Sequence, residues 1–181
     1  MTAREFNPSH LDVEVFAAEA AQLAGQWPVS RLHRVAESLA AAPTSEDAVT
    51  WSARGERRAA RGGAFQTWLH VRAASSLALE CQRCLKPVRV AIEVERNFLF
   101  VQGEELAAQL DAETDDDVLA MPRALDLRAL VEDELLLAMP LVPRHDACPE
   151  PLPVPIDEEA ADEAPHPFAA LAALKRAGPL N

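Results

Sequence analysis

Residues 65–100 read FQTWLHVRAASSLALECQRCLKPVRVAIEVERNFLF, and their periodicity decides the fold. Phe65, Thr67, Leu69 and Val71 fall on one side of an extended chain, with Gln66, Trp68, His70 and Arg72 on the other. Leu77 and Leu79 carry the pattern up to Cys81. It resumes after Pro87, where Val88, Val90, Ile92, Val94, Phe98 and Phe100 alternate with Arg89, Glu93, Glu95 and Asn97. Successive side chains of a strand point to opposite faces, so a period of two over this length predicts two half-buried antiparallel strands. Cys81-Gln82-Arg83-Cys84-Leu85-Lys86-Pro87 then lies in the hairpin turn or beside it.

On the N-terminal side, Leu11, Val13 and Val15 alternate with Asp12 and Glu14, which predicts a short strand over 11–16. Ser30 reads as the N-cap of a helix with Leu32, Val35, Ala36 and Leu39 on one face, stopped by Pro43. Residues 48–52 read as another strand. On the C-terminal side, the acidic stretch 101–120, centred on Asp115, Asp116 and Asp117, reads as an exposed loop. Asp126 can then cap a helix that runs to about Met139 and ends at Pro140. Leu127, Leu130, Val131, Leu135, Leu137 and Ala138 share one arc of that helix, with Glu134 in its middle; Arg128, Glu132 and Asp133 lie outside it. A carboxylate at a core position needs a partner or a proton. Glu134 is therefore either a core-edge residue bonded to an arginine or backbone, or a functional group at the cysteine turn.

From Pro143 onward prolines mix with acids, including Asp157-Glu158-Glu159. The composition is that of an extended or disordered acidic linker. It ends in a short stripe of Phe168, Leu171 and Leu174, too short to be a stable lone helix and so expected to dock on its own domain or a partner. The expected architecture is α+β: an antiparallel sheet with a few packed helices over 1–142. A Pro/acid-rich linker and flexible acidic tail follow over 143–181, ending in a short amphipathic helix.

The chain has 181 residues, 49% of them hydrophobic, enough for a real core without disulfides. Three cysteines do not make a disulfide scaffold. No stretch approaches the roughly 18 apolar residues of a membrane span, and no secretory signal opens the chain. The expectation is a cytoplasmic protein with reduced thiols and no membrane partner. The net charge of −12 is unevenly spread. Residues 1–50 hold three Lys/Arg against seven Asp/Glu, 51–100 hold nine against four, and 101–181 hold five against eighteen. A basic middle between acidic flanks can present a positive surface to RNA, or can simply be part of an ordinary solvated acidic domain.

Phosphate-binding loops, dinucleotide fingerprints, nucleophile elbows and H-E-x-x-H are all missing from the sequence. Nothing argues for catalysis or a small-molecule substrate. The C-x-x-C pair has three readings. A redox site wants its cysteines at a helix N-terminus, which a β-hairpin turn does not offer. A zinc knuckle fits the spacing, and His145 with Cys148, spaced H-x-x-C, would complete a Cys₃His set with Cys81 and Cys84. No glycine follows either cysteine, as zinc turns often have, and the pair could also be turn residues without ligand duty. Arg54, Arg57, Arg58 and Arg61, near Trp51, Phe65 and Trp68, read as a hairpin loop able to contact phosphates and stack on bases, or as a solvated loop. Arg83, Lys86 and Arg89 add positive charge beside the cysteine turn.

The segment Leu79 to Pro87 resembles the signature of the bacterial YceD family, the large ribosomal RNA subunit accumulation proteins. So do the run Leu130 to Pro143 with His145, Asp146 and Cys148 after it, the ending Pro167 to Lys175, and Arg34-Val35-Ala36-Glu37-Ser38. The matches occur in order from about residue 30 to 176. The resemblance implies a non-enzymatic role in synthesis, processing or stability of large-subunit (23S) ribosomal RNA. It implies the rRNA, a pre-ribosomal particle or a ribosomal protein as partner. Some relatives carry a second full C-x-x-C after the helix; here only Cys148 is kept, with His145 nearby.

Overall fold

The alternation of residues 65–100 builds the longest ladder of the protein. In the computed structural model, which describes residues 5–60 and 63–150, strand β3 (Phe65–Glu80) pairs antiparallel with β4 (Pro87–Val101). The register runs from Thr67 opposite Phe100 to Glu80 opposite Pro87. Leu69, Val71, Ala73, Leu77 and Leu79 of β3 and Ile92, Val94, Phe98 and Phe100 of β4 enter one buried cluster.

The strand expected at 48–52 is longer, β2 (Ala48–Ala59), and pairs antiparallel with β3. Its extension carries Arg54, Arg57 and Arg58 into the sheet, so these arginines project from a strand and not from a loop. A further strand, β1 (Gln22–Pro28), which the sequence reading missed, lies antiparallel on the other edge of β2. Trp27 of β1 stacks on Trp51 of β2 with ring centroids 4.2 Å apart.

Residues 11–16 are not a strand. Asp12 accepts a hydrogen bond from the Val15 N–H at 3.0 Å and caps helix α1 (Val13–Ala18). Val13, Phe16 and Ala17 are buried, a spacing of three and four that belongs to a helix. The side-chain cap and this spacing outweigh the brief alternation. The end of α1 lies directly on β2 at Gly55: a Cβ there would stand 2.6 Å from the Phe16 carbonyl oxygen. Only glycine permits that approach.

Ser30 does not cap a helix either. A 3₁₀ turn (Val29–Arg31) leads to the five-residue α2 (His33–Glu37), which lacks a side-chain cap of its own at Leu32. Glu132, from a distant helix, supplies the acceptor: its Oε1 receives the N–H groups of Arg34 (2.7 Å) and Val35 (3.2 Å).

The acidic stretch 101–120 is not a loop but helix α3 (Glu104–Glu113) and strand β5 (Asp117–Ala120). β5 runs parallel to the end of β4, so the sheet, in order β1-β2-β3-β4-β5, is mixed and not wholly antiparallel. Trp68 explains why this segment folds. It faces away from the main core, is 5% exposed, and clusters with Leu99, Ala107 and Val118. Covering one large indole holds an otherwise polar segment on the sheet.

Helix α4 (Leu127–Ala138) follows the sequence expectation, with Asp126 accepting from the Arg128 and Ala129 N–H groups. Leu127, Val131 and Leu135 pack into the main core with residues of α1 and α2. Leu137, expected on the buried arc, is exposed, and Glu132, expected outside it, is buried. Glu134 is buried and accepts from Arg96 Nε at 3.0 Å. Burial pushes its carboxyl up, and the Arg96 guanidinium opposes the shift. It is thus the core-edge carboxylate held by an arginine. The α+β class stands.

Candidate metal centre

The site forms where β3 hands over to β4. The Cys81 N–H donates to the Lys86 carbonyl (3.0 Å) and the Leu85 N–H to the Cys81 carbonyl (2.9 Å), closing a tight turn around both sulfurs. Leu85 takes a positive φ of 58° to allow it. This is the left-handed position that a glycine fills more cheaply. Strain of this kind persists where the surrounding structure fixes the chain.

Beyond α4, residues 143–148 return to this turn. The Gln82 N–H donates to the Pro143 carbonyl at 2.9 Å. Cys148 Sγ lies 3.9 Å from Cys81 Sγ, and His145 Nδ1 lies 3.4 Å from Cys84 Sγ. The ligand atoms of Cys81, Cys84, His145 and Cys148 all lie within 4.8 Å of one another. A tetrahedral zinc ion with its usual bond lengths would set sulfurs about 3.8 Å apart and sulfur and nitrogen about 3.5 Å apart. The two close pairs match those edges, so the cluster is compatible with a metal site.

Its chemistry also fits. Cys81 and Cys84 are buried and Cys148 is half-buried, all as free thiols. Val88 and Val90 back them with apolar surface. His145 Nε2 is 3.0 Å from the Pro87 carbonyl, which can only accept. Nε2 can donate to that carbonyl, and in the neutral tautomer this selects, Nδ1 faces the cysteines with its lone pair, as a ligand requires. Burial pushes the Cys81 thiol up, but the backbone N–H groups of Arg83, His145 and Cys84 overcome this and bring it to about 5. Burial raises Cys84, and the neighbouring sulfurs of Cys148 and Cys81 raise it further. Three sulfurs this close cannot all ionise without a cation among them.

The basic residues are dispersed. Glu56 binds Arg58 (2.7 Å), Arg54 (2.9 Å) and His70 (2.8 Å), and these partners, Arg58 first, hold its carboxyl down at about 2. Arg57 lies over the Phe65 ring and Arg58 over Trp68. Lys86 pairs with Glu150 at 3.4 Å. Arg89 pairs with Asp47 at 2.7 Å. Arg54 and Arg58 stand opposite His70 and Gln66 of β3, which puts the group roughly 35–50 Å from the cysteine turn along the strand at its usual rise. They do not merge into one patch. Arg61, Phe168, Leu171 and Leu174 lie outside the described residues. Arg83, a cation beside the cysteine turn in sequence, bonds into residues 145–148, contacts that cross more than 60 positions and leave no local signal.

Among the described residues, no helix is long and apolar enough to cross a membrane. No solved structure matches the chain. The family model described as large ribosomal RNA subunit accumulation protein YceD matches residues 69–175, more than half of the chain. A curated protein named large ribosomal RNA subunit accumulation protein YceD, from Haemophilus influenzae, is 36% identical over 104 residues. That match covers 54% of this chain and 59% of the relative's length. With both halves of the Cys/His cluster inside the matched span, the chain belongs to the YceD family of large ribosomal RNA subunit accumulation proteins.

Proposed function

We propose that the chain is a non-catalytic accessory factor, acting in the cytoplasm, in the synthesis, processing or stability of large-subunit (23S) ribosomal RNA. In this reading zinc bound by Cys81, Cys84, His145 and Cys148 cross-links the β3–β4 turn to residues 143–148. The observation that carries the reading is that the family-matched span encloses four converging ligand atoms drawn from two distant segments. Arg54, Arg57, Arg58 and Arg61 would meet RNA or a pre-ribosomal particle, with Arg83, Lys86 and Arg89 as the second cationic group. The stripe of Phe168, Leu171 and Leu174 would dock on a ribosomal protein.

The decisive experiment deletes the gene and measures the ratio of large- to small-subunit rRNA, with complementation by wild type and by a Cys81→Ser, Cys84→Ser double variant. A fall in the ratio, restored by wild type only, is expected; an unchanged ratio overturns the reading. Purified chain should carry about one zinc, because structural sites fill completely at cellular metal levels. A metal-free wild-type protein removes the zinc part.

A second reading, a protein-only adaptor without RNA contact, is favoured by one observation. The arginines at 54, 58 and 89 already have carboxylate partners in Glu56 and Asp47. Charge reversal at 54, 57, 58 and 61 separates the two. RNA contact predicts salt-sensitive ribosome association that the reversal abolishes, whereas the adaptor predicts no change.

A further inference from the structure

Arg83 stands between the two cysteines of the turn, and its guanidinium reaches over to residues 145–148. Nε donates to Cys148 Sγ at 3.1 Å. Nη2 donates to the His145 carbonyl at 2.6 Å and, at a longer 3.5 Å, to that of Asp146. One planar group thus grips the sulfur of one candidate ligand and the backbone of the other. Apart from the Cys81–Cys148 and Cys84–His145 contacts of the cluster itself, the segment it holds is joined to the turn by Gln82 to Pro143, His145 to Pro87, and the Lys86–Glu150 pair.

Charge makes the same point. Three thiolates and a neutral imidazole around a zinc ion carry a formal charge of −1. Cys81 and Cys84 are 0% and 3% exposed, and Cys148 is the half-buried sulfur of the set. Arg83 puts its positive charge against that third sulfur. Charge-assisted donors to a ligand both orient it and stabilise its ionised form.

We infer that Arg83 is a positioning residue of the zinc centre, one that orients the His145–Cys148 segment and cancels the residual charge of a Cys₃His site. This rests on the zinc reading above. A lysine keeps the charge but not the fork that binds sulfur and carbonyl at once.

The test uses the full chain with zinc and compares wild type, Arg83→Met, Arg83→Lys and Lys86→Met. Affinity is read by competition with a chromophoric chelator, and thiolate ligation by the charge-transfer band of the cobalt-substituted protein. Loss of an outer-shell partner weakens metal binding about 10–100-fold. Arg83→Met should fall in that range, Arg83→Lys between it and wild type with the three-thiolate band retained, and Lys86→Met close to wild type. If wild type holds no zinc, the zinc reading fails, and this inference with it. Should wild type hold zinc while Arg83→Met or Arg83→Lys binds as tightly, only the role of Arg83 is overturned. Equal weakening by Lys86→Met overturns it too, since any nearby cation would then serve. Arg83→Lys keeps the test open if the methionine variant does not fold.

Discussion

Removing the Glu132 carboxylate should unseat α2, and the size of the effect follows from its bonds. α2 has five residues and takes its N-terminal acceptor from α4. So short a helix does not persist by propensity. In Glu132→Ala the N–H groups of Arg34 and Val35 lose their acceptor. Val35 is fully buried, and water reaches its N–H poorly. Losing a cap costs about 0.5–2 kcal/mol, and an orphaned buried donor costs about 1–3 kcal/mol; together about 2–3 kcal/mol is expected. Glu132→Gln keeps a neutral acceptor and should lose about half as much, as charge-assisted bonds are roughly twice as strong as neutral ones. With a urea slope of about 2 kcal/mol/M, the alanine variant should unfold roughly 1–1.5 M earlier. The control is Asp133→Ala, one residue away, whose half-exposed carboxylate pairs with the same Arg34 side chain but caps nothing. Urea denaturation followed by circular dichroism reads both. If alanine at 132 moves the midpoint no further than alanine at 133, the capping argument is wrong and Glu132 is only one more surface pair.

Trp68→Ala should cost about 3–5 kcal/mol and raise amide exchange in α3 and β5 before the rest of the sheet, because Trp68 holds both to it; uniform exchange would refute a separate second core. Gly55→Ala forces α1 off β2 and should destabilise by about 1–3 kcal/mol, as overpacking does, read by thermal melting; an unchanged melt would mean that the contact yields freely. Leu85→Gly should match or exceed wild-type stability because it removes a left-handed side chain, whereas Leu85→Val should lose about 1 kcal/mol or more; a stable valine variant would disprove the strained turn. Glu56 is held at about 2, against 4.5 unperturbed. A depressed carboxyl adds stability above its unfolded value and loses it as pH falls through the folded one. Melting temperature should therefore drop between about pH 4.5 and 2, less steeply in Glu56→Gln; identical slopes would show that Glu56 contributes nothing.

What the sequence made legible follows from where each signal resides. The β3–β4 hairpin is written in a period-two pattern and α4 in a cap, an apolar arc and a proline stop, so both were readable locally. The candidate set Cys81, Cys84, His145 and Cys148 was readable from residue type and spacing, and the fold brings its four side chains together. The elements that escaped depend on distant partners. α3 and β5 fold under Trp68, whose alternation placed it on a face that looked polar. α2 rests on a carboxylate 98 residues away. Arg83 looked like any cation on a turn until residues 145–148 came back over it. Those misses and the candidate centre share one cause, which is the path of the chain after β4. α4 crosses the core, buries Glu132 against α2, buries Glu134 against Arg96, and delivers residues 143–148 to the turn. Capping of α2 and convergence of the four Cys/His side chains are therefore two results of seating one helix. If the centre binds zinc as proposed, a substitution that shifts α4, such as Val131→Ala in its fully buried face, should weaken that binding and uncap α2 together, although Val131 is not itself a candidate ligand. If zinc affinity stayed at wild type while α2 amides lost protection, the centre would be assembled by the turn and its clamp alone.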